Sequence, residues 1–253
     1  MPEIAWERRS DFPVAARTAA PRHSAIVRVT HWITALSFLA LLVSGMEIVI
    51  SHPRFYWGEN GNVLTPALFS FPIPSSRATV PTGYGYVLPD QNGWSRYLHF
   101  EAAWILVLAG VLYVIVGLFS GHFRKNLLPD PADRSWGAFT GGLADHLRFT
   151  RRVEADASSY NLLQRLVYLI VIFGLFPLVI LTGLAMSPAF VSAVPSSVTV
   201  FGGRQSARTL HFVIAMSLVL FLLVHVGMVW RSGFRNHVRA MITGRTPVRQ
   251  DAL

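Results

Sequence analysis

Four long apolar segments divide the chain, and polar or charged residues separate them. They cover approximately residues 29–50, 97–119, 166–186 and 210–230. Each is close to the roughly 20 apolar residues that an α-helix needs to cross a bilayer. The pattern predicts an all-α integral membrane protein, a four-helix bundle built from four spans. The pattern predicts a single domain, residues 1–253, without an apparent internal repeat.

Basic residues are concentrated on one side of the predicted spans. Of the 22 Arg and Lys residues, 17 lie in 1–28, between the second and third spans, or in 231–253. Because basic residues favour the cytoplasmic side, both termini are expected there, as cytoplasmic arms, and 51–96 is expected to be a periplasmic loop. The sequence therefore predicts a multi-pass protein of the bacterial inner (cytoplasmic) membrane. Topology accounts for the net charge of +9, so the charge does not predict nucleic-acid binding.

Composition narrows the chemistry further. The chain is 52% hydrophobic and 14% charged, whereas soluble domains are about 25% charged. It contains no cysteine, which excludes disulfides, thiolate-bound iron–sulfur clusters and covalently attached c-type haem. Any haem in this protein must be held by axial ligands and packing.

Four histidines lie within the predicted spans, near their ends: His31, His99, His211 and His225. The last two are fourteen residues apart, so they share one helix face and lie roughly 21 Å apart along the axis. The span directions place His31 and His225 at the cytoplasmic depth and the other two at the outer depth. Neutral imidazole is a ligand of haem iron, and polar groups inside lipid indicate function. The pattern predicts two non-covalent haem b groups in the bundle core, each with two histidine ligands.

Other residues support this prediction less specifically. Three arginines each precede a candidate ligand by three residues and share its helix face: Arg28, Arg96 and Arg208. They are candidate partners for haem propionates, or alternatively interfacial arginines that extend to the membrane surface. Gly45 is a candidate position for close approach of the porphyrin, although small residues also serve ordinary helix packing. Pro177 predicts a kink in the third span.

The predicted periplasmic loop, 51–96, is rich in proline and aromatic residues. It holds six prolines and eight aromatic residues, a composition unlike that of a flexible polar linker. We expect a long ordered loop that covers the outer haem and docks a periplasmic partner. The alternative is a loop that packs on itself and has no partner.

Several short motifs resemble one known family. They are Thr30-His31-Trp32, Ser44-Gly45, His99, His211 with His225, and the segments 160–166 and 239–244. Together they resemble the bacterial four-span di-haem cytochrome b subunits of periplasm-facing respiratory enzymes. That family includes the b-type cytochrome of nickel-iron hydrogenase, the gamma subunit of formate dehydrogenase and thiosulfate-reductase-type anchors.

The resemblance implies electron transfer between a membrane quinone and a periplasmic catalytic subunit, through two haems. It also implies a quinone site near the cytoplasmic haem, which here falls at the start of the third span: Tyr160, Asn161 and Gln164. These three residues alternatively cap and anchor that span. A molybdopterin enzyme is favoured over a hydrogenase as partner, and a homodimer within a larger complex stays open. The chain is expected to be an electron-transfer subunit without catalytic residues of its own.

Two other functions are compatible with a membrane bundle. A metal transporter or permease would use the histidines to bind copper or zinc, but it usually needs broken helices or a polar path. Three of the four spans have few internal polar groups, and no Met or Cys cluster accompanies the histidines. A passive membrane anchor would leave the depth-matched histidines unexplained.

Overall fold

The computed structural model describes residues 24–62, 64–73, 91–128, 137, 140 and 162–244. Its helices are α1 Ala25–Ser51, α2 Gln91–Phe119, α3 Leu162–Ile170, α4 Phe176–Met186, α5 Pro188–Ala193, α6 Ser196–Val200, α7 Arg204–Arg231 and α8 Phe234–Thr243. The other elements are two π-helical turns, Phe123–Leu127 and Val171–Leu175, and two short strands, β1 Arg54–Phe55 and β2 Phe69–Ser70.

Four helical segments are long and apolar enough to cross a membrane. They are Ala25–Ser51, Gly93–Phe119, Gln164–Met186 and Arg204–Arg231, called spans 1 to 4. This confirms the predicted helical fold with four spans. Each span begins before its apolar stretch, because backbone hydrogen bonding continues into neighbouring polar residues that a hydropathy pattern does not count.

The four spans form two helix hairpins. Span 1 packs along span 2, and span 3 packs along span 4. Within the described part of the chain, the backbones of the two hairpins approach each other closely only at isolated points. Large apolar side chains such as Leu36, Leu108 and Leu220 are exposed on the surface of the bundle, where lipid tails would cover them. The interior between the hairpins is therefore where side chains of the two halves meet.

A π-helical turn interrupts span 3. It covers Val171–Leu175, directly before α4, and Pro177 lies in the first turn of α4. Proline has no N–H to donate, and its ring crowds the carbonyl of the preceding turn, so a wider turn relieves both effects. The sequence predicts a kink at Pro177, and the structure has a π-helical turn directly before the helix that contains this proline.

The predicted periplasmic loop between spans 1 and 2, called the first outer loop from here on, is folded where the structure describes it, at 51–62 and 64–73. Strands β1 and β2 pair antiparallel, with Phe55 opposite Phe69. Phe55, Phe69 and Phe71 pack against Phe212 of span 4, with ring centroids 4.6 Å, 5.9 Å and 5.7 Å from that ring. Three of the aromatic residues that made this loop unusual in sequence therefore form an apolar cluster on span 4. Residues 74–90 lie outside the described residues.

The same loop caps the N-terminus of span 4. The Gly58 carbonyl accepts hydrogen bonds from the N–H groups of Gln205 and Ser206, at 3.0 and 3.2 Å. The Glu59 carboxylate accepts one from the Arg204 N–H at 3.0 Å. The first turn of a helix has no internal acceptors for its N–H groups and favours negative charge. The loop thus satisfies the exposed donors of the helix that carries two of the four histidines.

The predicted cytoplasmic arm after span 4 contains a helix, α8. Trp32 Nε1 donates to the Met241 carbonyl at 3.2 Å, and an Arg28 guanidinium N–H donates to the Ile242 carbonyl at 2.8 Å. Both carbonyls belong to the last turn of α8, where carbonyl oxygens have no N–H donor within the helix. Gly244 ends the helix with a φ of 77°. Span 1 therefore holds α8 by its C-terminal carbonyls.

Candidate functional site

The structure brings the four histidines together as two pairs. His99 of span 2 faces His211 of span 4, with ring centroids 6.2 Å apart; these two form the outer pair. His31 of span 1 faces His225 of span 4, with centroids 6.4 Å apart; these two form the inner pair. Each pair joins one hairpin to the other across the interior. These are the partners expected from the span directions.

The spacing within each pair fits two axial ligands of one metal ion. An imidazole nitrogen lies about 2 Å from a bound metal and the ring centre about 1 Å beyond it, so opposite ligands have centres about 6 Å apart. Both pairs have this spacing. Among the residues that the structure describes, no group of three or more His, Asp or Glu residues could hold a metal ion. Paired imidazoles across a bundle core suit haem iron better than a closed zinc site.

Each histidine of the outer pair touches a buried hydroxyl. Ser44 Oγ lies 3.0 Å from His99 Nδ1, and Thr182 Oγ1 lies 3.1 Å from His211 Nδ1. Both hydroxyl residues are fully buried. Sequence reasoning missed Thr182 and used Ser44 only as part of a motif. Both histidines of the outer pair therefore have a protein partner on Nδ1, which leaves Nε2 as the nitrogen that would face a bound metal.

A glycine follows each of these hydroxyl residues and lies against the same imidazole ring. A Cβ on Gly45 would lie 3.6 Å from His99 Cε1, and a Cβ on Gly183 would lie 3.3 Å from His211 Cε1. The glycines let each imidazole lie close to the neighbouring helix. Gly45 was expected to admit the porphyrin; in the structure its nearest side-chain neighbour is the ring of a candidate ligand.

A short internal repeat, which the sequence analysis did not identify, surrounds the outer pair. Residues 96–100 are Arg-Tyr-Leu-His-Phe and residues 208–212 are Arg-Thr-Leu-His-Phe. Spans 1 and 3, which pack beside them, carry Ser-Gly at 44–45 and Thr-Gly at 182–183. The repeat was missed because the identical residues are few and the loops between them differ in length. Each hairpin supplies the same set: a hydroxyl and glycine from its first span and a histidine from its second.

Aromatic rings surround the inner pair. The ring of Trp32 stands edge-on to His31, with centroids 5.4 Å apart. Phe221 stacks on His225 with centroids 5.7 Å apart and planes inclined by 24°. These two ring contacts, one edge-on and one stacked, restrict how the two imidazoles can turn.

The three arginines next to candidate ligands have different surroundings. The Arg28 guanidinium bonds to α8, as described above. That of Arg208 donates to the His52 carbonyl and lies over the Phe55 ring, 5.1 Å from its centroid. Arg96 is exposed. A guanidinium has five donors, so these contacts leave donors for a propionate, and that role stays a prediction.

At the predicted quinone site the structure describes only Gln164, which is half-buried at the start of span 3. Tyr160 and Asn161 lie outside the described residues. The same end of the bundle contains a cavity of about 310 Å³, lined by Ser24, Ile26, Val27, Tyr113, Val116, Gly117, Ser120 and His122.

His122 lies just beyond the end of span 2 and is not among the four histidines that the sequence analysis singled out. Its ring centroid is 6.0 Å from that of Tyr113. Partial burial lowers the pKa of His122, because desolvation disfavours the charged imidazolium. The imidazole is therefore neutral near pH 7 and can accept a proton. The sequence signal that could have identified His122 was its position between an apolar span and a basic segment.

Apolar spanning helices that bring histidines together in the bundle core define a class, the membrane b-type cytochromes. The chain matches the family described as prokaryotic cytochrome b561 over residues 22–244, and it belongs to that family. It is 30% identical, over 82% of its length and 89% of the relative's, to a protein of Azospira oryzae that carries the name protein-methionine-sulfoxide reductase subunit YedZ1. No solved structure gave a significant match. The chain is thus a multi-pass membrane subunit that binds b-type haem and transfers electrons.

Proposed function

We propose that this chain carries electrons between the quinone pool and a periplasmic oxidoreductase through two b haems. The observation that supports this most is the meeting of four histidines as two pairs, with ring centroids 6.2 and 6.4 Å apart. His31 and His225 would ligate the inner iron, and His99 and His211 the outer iron. A bound haem would supply reversible one-electron chemistry, because its iron has two accessible oxidation states.

Two imidazoles per iron leave no coordination position for oxygen or substrate, so electron transfer is the chemistry that these residues allow. The apolar bundle keeps water from the interior, and contacts on the ligands set how well each oxidation state is stabilised. Arg28, Arg96 and Arg208 would neutralise haem propionates near the membrane surfaces.

The proposed partner is a periplasmic oxidoreductase, with a molybdopterin enzyme preferred to a hydrogenase. The Azospira oryzae relative is named as a subunit of a reductase, which supports a partner that consumes electrons. Electrons would then flow from quinol to the partner. The first outer loop exposes Trp57, Leu64 and Leu68, and exposed apolar side chains on an ordered loop suit a protein contact.

Quinol would be oxidised at the end of the bundle that carries the inner pair. Tyr160, Asn161 and Gln164 remain candidates for contact with the quinone carbonyls. The cavity beside Tyr113 and His122 adds a second candidate at the same end. Oxidation of a quinol releases two electrons and two protons, and a neutral imidazole there accepts a proton.

The proposed location is the bacterial inner membrane, with both termini in the cytoplasm. The distribution of basic residues supports this orientation. The outer pair and the first outer loop would then face the periplasm and the partner.

Haem quantification on the purified protein tests this function. The pyridine haemochrome method is expected to give two haems b per chain in the wild type and one in His211→Ala. His237→Ala, which changes a half-buried histidine of α8 that lies in neither pair, is the matched control and is expected to keep both. One haem or none in the wild type would contradict the proposal. Bound copper or zinc without haem would favour a metal permease instead.

A further inference from the structure

We infer that Ser44 and Thr182 are positioning residues that hold His99 and His211 in the tautomer with Nε2 available to iron, and thereby lower the reduction potential of the outer haem. This rests on the proposed function, in which these two histidines are the outer axial ligands. The inference comes from the direction of hydrogen bonds around the two hydroxyl groups.

A hydroxyl has one proton to donate, and the Ser44 proton is committed to the backbone. Ser44 Oγ lies 2.7 Å from the Ala40 carbonyl oxygen and 3.2 Å from that of Leu41. Carbonyl oxygens only accept, so the hydroxyl donates to one of them. Toward His99 Nδ1, at 3.0 Å, it therefore offers a lone pair. His99 Nδ1 must carry the proton in this hydrogen bond.

The same arrangement recurs in the second hairpin. Thr182 Oγ1 lies 2.7 Å from the Leu178 carbonyl oxygen and 3.1 Å from that of Val179. It lies 3.1 Å from His211 Nδ1, so this nitrogen also carries the proton. Two independent hydroxyls therefore impose one tautomer on the two facing histidines.

A neutral imidazole protonated on Nδ1 has its lone pair on Nε2, which is the form that binds a metal. Ser44 and Thr182 are 0% exposed, so water does not compete for these hydrogen bonds. Removing one hydroxyl therefore removes the hydrogen bond to one imidazole and leaves the imidazole itself in place as a candidate ligand.

The hydrogen bonds also affect the electron affinity of the iron. Donation from Nδ1–H makes the imidazole a more basic ligand, which stabilises the oxidised iron more than the reduced iron. Loss of one hydroxyl should therefore raise the reduction potential of the outer haem while the haem stays bound.

The test is an optical redox titration of the purified protein in detergent, with haem content measured on the same samples. The variants are Ser44→Ala and Thr182→Val, which remove a hydroxyl, the double variant, and Thr182→Ser, which keeps it. Ser217→Ala is the matched control, because the Ser217 hydroxyl bonds to the Val213 carbonyl at 3.0 Å but is exposed and touches none of the four histidines. His211→Ala identifies which component of the titration belongs to the outer haem.

We expect two haems in each hydroxyl variant and an upward shift of the outer component only. The double variant should shift by about the sum of the single shifts, and Thr182→Ser and Ser217→Ala should match the wild type. Unchanged potentials in Ser44→Ala and Thr182→Val, with two haems bound, would overturn the inference and leave the proposed function intact. An equal shift in Thr182→Ser would also overturn it. Absence of two haems in the wild type would instead refute the proposed function.

Discussion

His99 and His211 occupy equivalent positions in the two hairpins, and single residues decide how closely their rings approach the neighbouring helices. On each side a hydroxyl contacts Nδ1, and the next residue is a glycine. The inner pair has aromatic neighbours, among them Trp32 and Phe221. Both pairs consist of imidazoles, but the two pairs differ in what surrounds these rings.

Replacing Gly183 by Val should remove the outer haem. A Cβ there would lie 3.3 Å from His211 Cε1, and the two γ-methyl groups would displace the ring further. The haemochrome assay should fall from two haems per chain to one. Gly110→Val is the control, because a Cβ at Gly110 meets nothing within 4 Å. Full haem content in Gly183→Val would contradict the role assigned to this glycine.

Quinol oxidation should depend on neutral His122. Burial lowers the pKa of this imidazole below its ordinary value of about 6.5. The imidazole therefore becomes protonated only in acid, and once protonated it can no longer accept a proton. The rate of haem reduction by a quinol analogue, followed by stopped-flow absorbance, should be constant near pH 7 and fall in acid. His122→Gln should slow the reaction on the order of 10²-fold and remove this acid limb. His237→Gln is the control, and a wild-type profile in His122→Gln would place proton transfer elsewhere.

At the scale of elements, local backbone geometry controls how the spans are connected. The π-helical turn Val171–Leu175 accommodates Pro177 within span 3. The first outer loop is fastened to span 4 through Gly58 and Glu59, and α8 is fastened to span 1 through its last carbonyls. In both cases the groups left unsatisfied at a helix end find their partners in a segment distant in sequence.

Gly203→Ala should loosen the first outer loop. Gly203 has a φ of 114°, and a Cβ there would overlap the Gly58 carbonyl group. Gly233→Ala is the control, because Gly233 has a similar φ of 105° with nothing within 4 Å. Both variants carry the backbone strain, but Gly203→Ala should lose about 1–3 kcal/mol more of the free energy of unfolding. Detergent unfolding and limited proteolysis of the loop measure this, and equal losses would contradict the proposed contact.

At the scale of the whole molecule, the two hairpins are joined across the interior by histidine pairs. Span 4 contributes a residue to both pairs, whereas spans 1 and 2 contribute one each. Bound haem should therefore hold the two hairpins together. Loss of His211 or His225 should then weaken the association of the hairpins and not only the packing around the lost side chain. The orientation of this bundle decides which pair would meet the proposed periplasmic partner.

The absence of native cysteine makes orientation directly measurable. Leu64 is 89% exposed in the first outer loop, and Arg235 is exposed in α8. In intact spheroplasts, a membrane-impermeant maleimide should label Leu64→Cys and leave Arg235→Cys unlabelled until the cells are lysed. The opposite labelling pattern would reverse the proposed topology and place the outer pair at the cytoplasmic surface.

Hydropathy and charge were sufficient to predict four spanning helices, because a bilayer imposes its thickness and polarity on each span separately. The span directions then grouped the four histidines by depth. These are local or one-dimensional properties, so the sequence by itself determined them.

Contacts between residues far apart in the chain required the tertiary structure. No periodicity joins Ser44 to His99 or Thr182 to His211, and hydropathy treats each hydroxyl as one polar atom in an apolar helix. The capping of span 4 by Gly58 and the docking of α8 on span 1 likewise depend on which backbone groups lack partners once the hairpins have packed. The sequence by itself therefore determined the four spans and the grouping of their histidines. Packing decided the hydrogen bonds that orient His99 and His211.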